Sequence, residues 1–146
     1  MNSPFQSLES LNRRRHISLL GYVGAAAAGW AALEAIEAFA VFIVPHGPNY
    51  APEIGPAATF IAFSLAFTIG YLALFIILAV PMRHLAVRVE GTTTKRLLPL
   101  VSSAAFGLAS GAFVWLNNSA RDAGFVAMLF AVAGFVCMTV LQIAAR

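Results

Sequence analysis

Glu34 and Glu37 stand three residues apart inside a long apolar stretch, residues 17–44, that holds no Lys or Arg. In a helix this spacing puts both carboxyls on one face. Ionisable side chains within a bilayer are costly and mark proton relays, ion paths or special pairings. Loss of water disfavours the charged form of each acid, and the like charge one turn away disfavours it further. At least one of the two is therefore expected to be protonated at neutral pH unless a cation or a partner residue binds there. The chemistry open to such a pair is uptake and release of a proton or small cation. The bland alternative is a pair of neutral acids hydrogen-bonded to hydroxyls or to a basic residue of another subunit. Ser64, Thr68 and Tyr71 follow at i, i+4 and i+7 in the next apolar stretch. They form one hydroxyl stripe, expected to solvate the acids. Ser102, Ser103, Ser110, Thr139 and Gln142 offer further polar groups, although Ser and Thr in such helices often bond back to their own backbone.

The elements that position these residues follow from hydropathy. The chain is 60% hydrophobic and 10% charged, with a mean hydropathy of +0.83. A soluble domain carries about a quarter charged residues. Four apolar runs, about 17–44, 57–80, 97–116 and 124–144, each reach the ~20 residues that cross a bilayer as a helix. They lack the polar stripe of a soluble amphipathic helix and the ~10-residue alternation of a membrane barrel. The expected fold is all-α: a four-transmembrane-helix antiparallel bundle over 17–146, with short up-down connections. The run at 17–44 gives ~42 Å of helix against ~30 Å of hydrocarbon, so both acids fall deep.

Eight of the nine basic residues fall on one side of this arrangement: Arg13, Arg14, Arg15, Arg83, Arg88, Lys95, Arg96 and Arg146. The positive-inside rule then places both termini on the cytoplasmic side. The net charge of +3 is a topology signal, and no basic face on a soluble domain points to nucleic acid. The first run is about twice a signal-peptide core and stays apolar past Ala38-Phe39-Ala40, so it reads as a retained helix. Residues 1–16 form a separate segment. There Ser3-Pro4-Phe5-Gln6 reads as a helix start, and Phe5, Leu8 and Leu11 suggest a short interfacial amphipathic helix on the inner leaflet.

The first outer loop, 45–56, holds four prolines and should be stiff. Pro56 suits the first turn of span two and Pro99 that of span three. His46 with Glu53 is too sparse a set for zinc. The inner loop, Arg83 to Arg96, holds His84 and a Gly91-Thr92-Thr93-Thr94 turn. Cys137, the single cysteine, excludes an internal disulfide and reads as a small buried apolar residue.

Small residues four apart run along three spans: Gly21, Ala25 and Gly29; Ser103, Gly107 and Gly111; Ala123, Ala127 and Ala131. Such faces let helix backbones approach closely, first of all within the same four-helix bundle. Three of them exceed what one small bundle needs at its centre, which points to a homo-oligomer or a larger assembly.

Two function classes lead. The leading expectation is a non-catalytic accessory or assembly subunit of a larger membrane complex. The alternative is a homo-oligomeric proton or cation channel or transporter using Glu34 and Glu37. A third is a haem- or quinone-associated redox subunit, with His16 and His84 as axial ligands, although neither lies within a span. No cofactor is expected, and nothing resembles a nucleophile with its base or a phosphate loop. Enzymatic activity ranks below both. The partners are the lipid bilayer and other membrane subunits or further copies. The expected location is a bacterial inner membrane, with an organellar inner membrane second.

Overall fold

The computed structural model describes residues 19–43, 55–88, 92–117 and 120–144. The expected interfacial helix, His16, the prolines of the first outer loop before Pro56, His46, Glu53 and Gly91 lie outside them. The described residues are helical throughout, apart from Ile43 and Gly55 at helix ends.

Helix α1 is Leu19–Phe42, rich in Ala and free of the proline that would break it. Helix α2 is Pro56–Leu74, with Gly55 at its N-cap at φ 78, a backbone region that side chains with a Cβ rarely enter. Pro56 occupies the first turn as the sequence predicts, where its missing N–H costs nothing. The Thr59 hydroxyl closes that turn on the Gly55 carbonyl at 2.8 Å.

Beyond Leu74 the same rod widens into a π-helical segment, Phe75–Ala79, then continues as α3, Val80–Arg88. Pro81 explains the widening. It has no N–H, and its ring clashes with the carbonyl one turn back. A five-residue hydrogen bond just before it, Val80 N–H to Phe75 O, lets the chain pass without ending. Helix α4 is Thr92–Asn117 and α5 is Ala120–Ala144.

Four helices are long and apolar enough to span a membrane: Leu19–Phe42, Pro56–His84, Arg96–Asn117 and Asp122–Ala144. The protein is a helix-bundle membrane protein. Two expectations need correcting. The stretch Arg83–Arg96 is mostly helix rather than loop, because α3 runs to Arg88 and α4 begins at Thr92, so the three threonines belong to a helix. Pro99 therefore lies inside α4, not in its first turn. Hydropathy marks where the apolar run stops, and a helix can continue beyond it into polar sequence.

Helix α5 is the hub, packing most extensively on α4, then on α1, while α2 packs on α1. The small-residue stripes form these contacts. A Cβ on Gly107 would meet the Ala127 carbonyl oxygen at 2.9 Å and the Ala131 methyl at 3.1 Å, and one on Gly111 the Ala127 methyl at 2.9 Å. Ala25 and Gly29 are buried in α1, with Gly29 against Tyr71 and Ala133. Members of all three stripes thus pack inside the chain, as their reading as contacts within one bundle requires. Aromatic rings fill the rest: Phe67 meets Phe130 edge-on at 5.9 Å, and Tyr71 lies 6.2 Å from Phe106.

Candidate functional site

Helix α1 buries a ladder of every fourth residue: Ala25, Gly29, Leu33, Glu37 and Val41. Glu37 thus continues the small-residue stripe into the core and is fully buried. Glu34 is set back by about 60° on the wheel and is only half-buried, at the edge where α2 packs. The two acids are neighbours on the helix, but the packing boundary runs between them.

Along α1, Trp30 and Glu34 are one turn apart; along α2, Ser64 and Thr68 are one turn apart. The equal pitch lets the two pairs interlock. Ser64 donates to Glu34 Oε2 at 2.6 Å, and Thr68 donates to Glu34 Oε1 at 3.1 Å. The Trp30 indole N–H donates to Thr68 Oγ1 at 2.9 Å. A four-residue polar cluster therefore joins α1 to α2. The acids lie about 5 and 10 Å from the midpoint of α1, at 1.5 Å per residue.

Glu37 is in a different position. Neither of its carboxyl oxygens has a hydrogen-bond partner. A buried polar group left unpaired costs about 1–3 kcal/mol, so the fold gains nothing from this acid. Glu37→Met, close in length and fully apolar, is expected to stabilise the protein by about 1–3 kcal/mol on the same scale. Reversible unfolding in mixed micelles measures it, and a loss of stability would show that the carboxyl is satisfied.

Of the hydroxyl stripe, Ser64 and Thr68 reach an acid and Tyr71 does not. Its side chain crosses to α5, with its hydroxyl over Gly29 beside the Cys137 thiol. A Cβ at position 29 would overlap that hydroxyl, so the glycine leaves room for it. Tyr71 and Cys137 are both fully buried, as the reading of Cys137 as core requires. Three of the other hydroxyls serve the backbone. Ser102 bridges to the Gly134 carbonyl at 3.2 Å, while Ser110 and Thr139 bond back to Phe106 and Phe135, each at 2.8 Å.

His84 is exposed next to Arg83 in the sequence, and its companion His16 lies outside the described residues. Among the described residues no group of three His, Cys, Asp or Glu side chains could hold a metal ion. Two features escaped the sequence reading. The Trp30–Thr68 bond had only a shared helix face as its signal. The seat of Tyr71 over Gly29 had only a glycine within a small-residue stripe. No family model, no curated protein and no solved structure matches the chain.

Proposed function

We propose that this protein binds and passes protons or small cations within a membrane, as a homo-oligomeric channel or transporter, with the Glu34 carboxyl as its working group and Glu37 as a second acid. One observation carries the reading: Ser64 and Thr68, which could have bonded back to their own helix, turn to Glu34 instead. A hydrogen-bonded carboxyl in apolar surroundings can change charge without leaving the bundle, and hydroxyls at both oxygens give a proton somewhere to go. The proposal includes an antiparallel arrangement of the four spans, both termini on the cytoplasmic side, and a bacterial inner membrane, supported by the placement of the basic residues.

The accessory-subunit reading ranks second, and one observation favours it. The most apolar stretch of the second span is 11% buried against the rest of the chain, compared with 33%, 33% and 44% for the others. A neighbouring subunit would cover that rod as well as lipid would.

The test is reconstitution of the purified protein into phosphatidylethanolamine–phosphatidylglycerol vesicles, with native mass spectrometry of the same preparation. A pH gradient that collapses faster than in protein-free vesicles, together with a closed homo-oligomer, supports the proposal. Vesicles as tight as the protein-free control, with unrelated subunits co-purifying, would replace it by the second reading.

A further inference from the structure

A hydrogen-bonded chain takes its direction from the member that cannot reverse. In the Glu34 cluster that member is Trp30, whose indole nitrogen only donates. It gives its hydrogen to Thr68 Oγ1, and the Thr68 hydroxyl hydrogen points on to Glu34 Oε1. With one of its two lone pairs taken by the indole, Thr68 donates to Oε1 more readily than it accepts from it. Oε2 has a different neighbour. Ser64, 2.6 Å away, makes no other side-chain bond among the described residues. Its hydroxyl can donate to the carboxylate or turn and accept from the protonated acid.

We infer that Oε2 is the atom of Glu34 that takes the proton and that Ser64 is its relay, with Thr68 and Trp30 as positioning residues that clamp Oε1. This rests on the reading of Glu34 as a proton or cation site, and it settles which ligand that site takes. On uptake a hydronium ion gives its proton to the Ser64 oxygen as the Ser64 O–H bond breaks and that hydrogen passes to Oε2, so the hydroxyl is kept and the hydronium leaves as water. The carboxylate becomes the acid, and nothing is oxidised or reduced. A metal ion would need oxygen lone pairs converging on one point. Here Thr68 aims its hydrogen at Oε1 while its oxygen carries the indole hydrogen, which leaves too few converging lone pairs for a metal ion and favours a proton.

The other titratable groups on the elements packed against α1 make no hydrogen bond to Glu34. Tyr71 and Cys137 face each other at Gly29, Arg83 and His84 lie at the far end of the second span, and Asp122 lies at the start of α5. On α1 itself the like charge is Glu37, one turn away.

The experiment is pH-difference infrared spectroscopy of the reconstituted protein, with the Glu34 carbonyl band assigned by its loss in Glu34→Gln. Ser64→Ala is expected to slow hydrogen–deuterium exchange of the protonated carboxyl by about tenfold, and Ser64→Thr to restore it. Thr68→Val should shift the carbonyl frequency and leave exchange within about twofold. Equal slowing in Ser64→Ala and Thr68→Val overturns the assignment, as does no slowing in Ser64→Ala. Displacement of the Glu34 carboxylate bands by sodium ion overturns the choice of ligand, and absence of a Glu34 carbonyl band at every pH overturns the whole inference. Transport fails separately: proton-tight wild-type vesicles with the expected Ser64 effect would leave a proton site without a path.

Discussion

Vesicles carrying Glu34→Gln are expected to hold a pH gradient as long as protein-free vesicles. Glutamine has nearly the same shape, and its amide can still accept from Thr68 at one end and contact Ser64 at the other. The α1–α2 bond pattern survives, so stability should move by no more than about 0.5 kcal/mol. What disappears is the oxygen that gains and loses a proton. Glu37→Gln should cost less flux, because Glu37 has no hydrogen-bonded route to another polar group, whereas Glu34 has two. Stopped-flow measurement with an entrapped pH-sensitive dye distinguishes the pair. Unchanged flux in both variants would remove the proton reading.

Gly29→Val should unfold the bundle more readily than any other single methyl-bearing change on α1. A Cβ there would lie 2.9 Å from the Ala133 carbonyl oxygen and would overlap the Tyr71 hydroxyl. The hydroxyl can swing away, but a backbone oxygen of α5 cannot move without its helix. Overpacking of this kind costs about 1–3 kcal/mol and sometimes more, and a branched side chain on a backbone contact belongs at the upper end. Gly24→Val supplies the control on the same helix, since a Cβ there meets nothing within 4 Å, and its effect should stay within about 0.5 kcal/mol. Adding Tyr71→Phe to Gly29→Val should recover part of the loss, with a coupling of at least about 0.5 kcal/mol. Unfolding midpoints in mixed micelles provide the comparison. Equal effects at positions 24 and 29 would mean that α1 does not approach α5 and Tyr71 at Gly29.

The four spans were legible because hydropathy reports what a bilayer selects, and the apolar runs end close to where the spanning helices do. The ends on the basic side were not. Arg83, His84 and Lys95 read as loop because they are polar, yet a helix can run on through polar sequence. The widening at Phe75–Ala79 has no signal except Pro81, and a proline in a helix can kink, end or widen it. At the site, helical spacing was enough to place Ser64 and Thr68 together. It was not enough to say which acid they would meet, because Glu34 and Glu37 differ by only part of a turn. The ladder through Gly21, Ala25 and Gly29 did contain the answer. Continued by fours it reaches Leu33 and Glu37, assigning Glu37 to the core and leaving Glu34 at the edge. Tyr71 misled because its position on the stripe suggested a partner on the near helix, while its length carries the hydroxyl across Gly29.

Proton uptake by the purified protein in lipid nanodiscs, followed with an indicator dye through an acid jump, tests the role of Glu34 most directly. Wild-type protein should take up one more proton per chain than Glu34→Gln, with both keeping the same helical content. Identical uptake by the two would mean that the Glu34 carboxyl does not change its charge, and the proton site would have to be abandoned.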